Sequence, residues 1–121
     1  MVYGMTPDML ARMYVSGSLK NQGDGFTFEV QNKIDSGAVS GLTKLIVDDV
    51  ERPLEGATVE LGGQARPVTE ISWSNSLYVP YGAKLKLYVP GQLEPGQHTI
   101  KLTVNTPEVG PLTISITDTV S

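Results

Sequence analysis

Few side chains in this sequence are equipped for chemistry. His98 is the sole histidine, and there is no cysteine. It stands beside Pro95-Gly96, at the start of an alternating apolar run. An imidazole there could act as a general base or as a single metal ligand. One imidazole without a second nitrogen or any thiolate cannot build a zinc-type site. The other reading of His98 is a surface residue on a strand. Asp48, Asp49 and Glu51 form the densest carboxylate group. Calcium favours such oxygen clusters, but the spacing is not that of the twelve-residue calcium loop, and paired aspartates are common turn residues. No Gly-x-Ser-x-Gly elbow, phosphate-cradling glycine loop or basic run occurs. The sequence therefore assigns no catalytic, cofactor-binding or metal-binding residue. What remains is Ser72–Gly82, SWSNSLYVPYG, with the lone tryptophan, Trp73, and the tyrosines Tyr78 and Tyr81. Aromatic rings with polar tips serve as interface anchors and sugar-stacking platforms. They also plug the ends of β-sandwiches.

The elements that must carry these residues read as strands. In Lys84–Val104, KLKLYVPGQLEPGQHTIKLTV, Leu85, Leu87 and Val89 alternate with Lys84, Lys86 and Tyr88. Ile100, Leu102 and Val104 alternate in the same way with Thr99, Lys101 and Thr103. A period of two places successive side chains on opposite faces of a pleat. With Pro90-Gly91 and Pro95-Gly96 between the runs, the stretch is expected to fold as a hairpin. Met1–Met9 is expected to be an arm or a single turn, with Thr6 as helix cap and Pro7 at the first helical position. Leu10–Lys20 is expected as a strand, paired across Asn21–Gly25 with Phe26–Gln31, whose Phe26, Phe28 and Val30 face inward. Asn32–Gly41 reads as a long loop, either a site or a crossover between sheets. Leu42–Val47 then enters a turn at Asp48-Asp49, with Asp49 able to adopt positive φ. Val50–Pro53 is the expected returning strand, placed at an edge or ended by Pro53, and Ala57–Leu61, Arg66–Trp73 and Leu112–Val120 complete the set.

One domain spanning residues 1–121, with residues 1–9 as its arm, is what this length implies. Apolar residues make up 40% and charged residues 18%. Thirteen glycines and eight prolines fall mostly between the strand-like runs. The pattern predicts an all-β fold, an antiparallel β-sandwich of about seven to nine strands. A net charge of −4 argues against non-specific nucleic-acid binding, which needs a basic face. The apolar runs are too short for a membrane-spanning helix. No leader precedes the first strand, so a cytoplasmic protein is expected.

The order of the motifs is informative in its own right. GFTFEVQ at Gly25–Gln31 is followed by SGLTKLIVDDVERP at Ser40–Pro53, VPYGAKLKLYV at Val79–Val89 and GQLEPGQHTIKLTV at Gly91–Val104. Over Leu10–Ser121 this resembles the small β subunits of bacterial C-glycoside deglycosidases. Members of that family tend to read Asp-Gly-Glu at the hairpin occupied here by Asp48-Asp49-Val50-Glu51. They often carry Arg-Gly where this chain has Ser36-Gly37. The resemblance implies a non-catalytic subunit of a lyase that cleaves the C–C glycosidic bond of 3-oxo flavonoid-type C-glycosides. It further implies a hetero-oligomer with a larger barrel-fold α subunit holding a divalent metal, manganese or magnesium, and the acid/base residues. The contact surface or pocket rim would include Ile34, Asp35, Ser36 and Val39 of the long loop, with Trp73, Tyr78 and Tyr81.

Two other readings stay open. A stand-alone carbohydrate-binding module would use Trp73, Tyr78 and Tyr81 as a stacking platform. An immunoglobulin-like adhesion or fibre domain would have a structural role.

Overall fold

The computed structural model describes residues 7–108 and 110–121. Among them are eleven strands, one short helix and one 3₁₀ turn, so the expected all-β class is found. The strands are β1 (Lys20–Gln22), β2 (Gly25–Gln31), β3 (Gly37–Val39), β4 (Gly41–Val47), β5 (Val50–Arg52), β6 (Thr58–Leu61), β7 (Gln64–Pro67), β8 (Leu77–Val79), β9 (Lys84–Pro90), β10 (Gly96–Thr106) and β11 (Gly110–Val120). They form a five-stranded sheet in the order β1-β2-β9-β6-β7, a four-stranded sheet β11-β10-β4-β5 and a ribbon β3-β8. Every pairing is antiparallel. The count exceeds the expected seven to nine because β1, β3, β5 and β8 are three residues each, too short for alternation to register.

The two larger sheets share a core. Phe26, Phe28, Leu87 and Val89 come from the five-stranded sheet, and Leu45, Ile100, Leu102 and Ile114 from the four-stranded sheet. Phe26, Phe28, Leu87, Val89, Ile100 and Leu102 are inward positions that the alternation marks. Phe26 and Phe28 are stacked with ring centroids 6.3 Å apart, and the Arg52 guanidinium lies 5.6 Å from the centre of the Phe26 ring. Arg52 also donates to Pro90 O and Gly91 O, tying β5 of one sheet to the end of β9 in the other.

Lys84–Val104 is not a hairpin. β9 pairs with β2 and β6, whereas β10 pairs with β11 and β4. The Gly91–Pro95 segment instead carries the chain from one sheet to the other. Leu93 is buried within it, and the side chain of Asn21 holds it by accepting from Leu93 N at 2.8 Å and donating to Leu93 O at 2.8 Å. Alternation reveals a strand but not its partner. Leu10–Lys20 is likewise not a strand. Pro7–Ala11 forms a short helix, α1, and Tyr14 makes one isolated bridge to Val30. Met13 and Leu19 are buried, but from a looped segment. Of the N-terminal arm expected over residues 1–9, residues 1–6, including the expected cap Thr6, lie outside the described residues. Arg66–Trp73 divides into the end of β7, the 3₁₀ turn Val68–Glu70 and a turn at Ser72–Asn75.

The tight turns fall where turn chemistry puts them. Asp48 and Asp49 both have positive φ, 51° and 69°, and Val47 pairs with Val50, as in a two-residue type I′ hairpin. Gly25 has a different requirement: a Cβ there would come within 2.1 Å of Val89 O and 2.9 Å of the Tyr88 ring. The Tyr88 ring thus covers the glycine on the outer face of the five-stranded sheet. Opposite Tyr88 in register, Thr27 is 2% exposed, and its hydroxyl has no hydrogen-bond partner among the described residues.

Candidate functional site

The two sheets do not close on each other everywhere. At the end formed by the C-terminal half of β2, the start of β9 and the far half of β10, they leave a cleft of about 320 Å³. Val30, Leu85 and Leu87 line one wall, Leu102, Val104 and Ile114 the other. The β3-β8 ribbon adds Val39, Leu77 and Val79 as a third side. Several lining residues, such as Leu42, Leu85, Val104 and Leu112, are only partly buried although they face inward. They pack on the core without being sealed by it.

A bulge shapes this wall. Thr103 pairs with Lys44, but Val104 pairs with Leu42, so Thr43 is an extra residue in β4. Strict alternation from Leu45 and Val47 would turn Thr43 inward. The bulge restores Leu42 to the inside and leaves Thr43 exposed.

The mouth is built by the loop after β2. Asn32 is its knot: its Nδ2 donates to Asp35 O at 2.7 Å and Val79 O at 3.2 Å, while its Oδ1 accepts from Ile34 N at 3.1 Å. Ser36 Oγ accepts from Tyr81 N at 2.8 Å, joining this loop to the segment after β8. Gln31 Nε2 donates to Gly82 O at 3.0 Å. Asn32, Ser36 and Gln31 thus each hold the rim through at least one side-chain bond. Asp35 Oδ1 accepts from Ser36 N at 2.8 Å, and the exposed Asp35 and Glu108 bring carboxylates to the lining. The Glu108 carboxylate lies over Gly37, 3.8 Å from where a Cβ would stand. Among the described residues, no lysine, arginine or histidine lines the cleft.

Of the residues expected at a partner surface or pocket rim, Ile34, Asp35, Ser36 and Val39 all line this cleft. Trp73, Tyr78 and Tyr81 do not. They are 86%, 61% and 63% exposed, so they plug nothing. Asn32–Gly41 is a crossover, passing from β2 in one sheet to β4 in the other, and it rims the cleft on the way. Glu108, Leu42, Leu85, Val104 and Leu112 had no signal as site residues. An inward apolar position reads the same whether it meets a core or a cleft.

His98 lies at the other end of β10. Its Nδ1 stands 2.5 Å from Asp48 Oδ2 and its Nε2 stands 2.7 Å from Glu94 O. Both neighbours are acceptors, so the two bonds form together when each ring nitrogen carries a proton, and the site favours the imidazolium. The Glu94 carbonyl first and the Asp48 carboxylate second raise its pKa above the usual 6.5. The Asp48 pKa is lowered, chiefly by the Thr99 N–H at 2.9 Å and next by His98, with Arg52 adding attraction. Asp118 is opposite His98 in register, but its carboxylate accepts from Tyr14 Oη at 2.6 Å and Gly17 N at 2.9 Å. Those bonds lower the Asp118 pKa, while burial and then Asp118 raise that of Tyr14. With both nitrogens engaged, His98 serves as a clamp between the β4-β5 turn and the crossover before β10. Among the described residues, no group of three or more histidine, aspartate or glutamate side chains is placed to hold a metal ion. No helix among them is long and apolar enough to cross a membrane.

A family model described as hydroxymethylglutaryl-CoA reductase, N-terminal domain, matches residues 9–121. No curated protein matches the chain. The family match overturns the resemblance to C-glycoside deglycosidase β subunits and the C–C lyase role drawn from it; nor does it support a stand-alone carbohydrate-binding module. Alternating strands and glycine-rich turns at similar spacing recur in unrelated β-sandwiches, and the quoted motifs held no catalytic signature. The barrel-fold α subunit and its divalent metal rest on that resemblance alone.

Proposed function

We propose, from the premise that this chain belongs to the hydroxymethylglutaryl-CoA reductase N-terminal domain family, that its part is to bind rather than to transform. The end cleft would receive the apolar body of a small ligand. The observation that carries this reading is the cleft itself: about 320 Å³ of space walled by aliphatic side chains from both sheets, with polar groups only at its mouth. That size falls at the lower end of small-ligand pockets. A sandwich with no such role would gain stability by filling the space, because each unfilled volume forfeits packing.

The family description names a reductase, and a nicotinamide dinucleotide, were that the reductant, would need a helix N-terminus or cationic side chains for its pyrophosphate. The cleft offers Asp35 and Glu108 instead, and α1 has only five residues. The residues present do not fit that group, so reduction by a longer protein of this family would take place outside this cleft. The proposal keeps the cytoplasmic setting expected from the sequence.

The test is titration of the purified chain with Nile red, an uncharged apolar dye whose emission rises in dry surroundings. Saturable binding that is lost in Val104→Phe, with folding intact, is the expected result. Binding unchanged in that variant would place the dye elsewhere and remove the proposal's support.

A further inference from the structure

The charge at the mouth selects among ligands, an inference that rests on the binding reading above. We infer that the cleft takes amphiphiles with an uncharged or cationic head and rejects those with an anionic one. The apolar walls supply affinity without regard to the head, since burial is non-directional. The head must remain at the mouth, where water can reach it. There the groups able to choose are few. Asn32 Nδ2 and Oδ1 are bonded within the rim, Ser36 Oγ and Gln31 Nε2 each hold one rim bond, and none of the three carries a charge that would favour an anionic head. The Asp35 carboxylate keeps spare acceptor capacity after its one bond from Ser36 N. Glu108 contributes a second carboxylate near Gly37 of β3, among the same lining residues. Among the described residues, no cationic side chain of the lining offsets either one. An ammonium or hydroxyl head can donate to these oxygens. A carboxylate, sulfonate or phosphate head can only meet them as like charge. Free fatty acids, whose carboxylate would stand at the mouth beside Asp35 and Glu108, are therefore poor occupants.

The experiment compares decyltrimethylammonium, 1-decanol and decanoate by calorimetric titration, at low salt and below micelle-forming concentrations. The wild-type chain and the double variant Asp35→Asn, Glu108→Gln are used. The expected order in the wild type is the ammonium tightest and decanoate at least tenfold weaker, the gap narrowing as salt is added. In the double variant the gap should close while 1-decanol binding stays within twofold. If 1-decanol binds but decanoate matches or exceeds the ammonium, the head-group inference is overturned and the binding reading stands. A gap that persists in the double variant overturns it too, because other groups then set the preference. If none of the three binds, the binding reading itself fails and this inference with it.

Discussion

If the end cleft is real space, a larger side chain placed in it should cost little and block a ligand. Val104→Phe is the substitution to make. Val104 lies on β10, half-buried, paired with Leu42 across the bulge and with Leu112 on the other side. The ring would extend into a cleft of about 320 Å³. At about 24 cal/mol per Å³, filling roughly 40 Å³ of empty volume recovers about 1 kcal/mol. The mouth is open to water, so that figure is a ceiling, and the variant should fall between no change and about 1 kcal/mol of added stability. The same change at Val89, which is 1% exposed and does not line the cleft, should overpack the core and cost about 1–3 kcal/mol. Urea unfolding of the two variants measures this through their midpoints, provided the slopes are unchanged. A loss of 2 kcal/mol or more at Val104, comparable with that at Val89, would show that the space does not exist and refute the reasoning.

Further outcomes follow from single sites. Thr27→Val should raise stability by about 1 kcal/mol, because the buried hydroxyl without a partner is replaced by an isosteric methyl; a loss in urea unfolding would mean the hydroxyl is satisfied. Asp49→Gly should stabilise by about 0.5–1 kcal/mol by relieving a left-handed aspartate at φ 69°, read from the thermal midpoint; no shift would argue against strain in that turn. The His98 clamp should make stability pH-dependent. A raised histidine pKa adds stability that is fully present below about 6.5 and fades as pH rises through the folded value. The lowered Asp48 pKa adds stability that is present above the usual 3.8 and fades as pH falls below it. Wild type should therefore exceed His98→Gln by more at pH 6 than at pH 9. The margin should be under about 1 kcal/mol, because the Asp48 side chain is 46% exposed and solvent screens it. Equal margins at both pH values would contradict an imidazolium clamp.

Much of the fold was legible because it depends on alternation and turn residues. Phe26, Phe28 and Val30, Leu87 and Val89, and Ile114 and Ile116 face inward as their period of two requires. The Asp48-Asp49 turn was readable from its residues alone. Pairing was not, since β9 and β10 are adjacent in sequence and lie in different sheets. Nothing in Leu85 or Ile100 encodes which neighbour each strand will take. The site was half legible. Asn32–Gly41 stood out by its length, and Ile34, Asp35, Ser36 and Val39 do line the cleft. Leu42 was hidden because the Thr43 bulge breaks the period. Glu108 was hidden because a lone glutamate in a turn has no distinguishing pattern. Trp73, Tyr78 and Tyr81 attracted notice by residue type, but they lie outside the cleft. The family could not be read from strand patterns, which unrelated sandwiches share.

The most direct measurement of the central claim is residue-level mapping of a bound ligand. A methyl-resolved NMR titration of the wild-type chain with 1-decanol would provide it. The account predicts saturable shifts at Leu85, Val104 and Leu112, with none at Val50, which is exposed on β5 and not part of the cleft. Shifts confined to residues outside the cleft, or no saturable shifts at all, would contradict it.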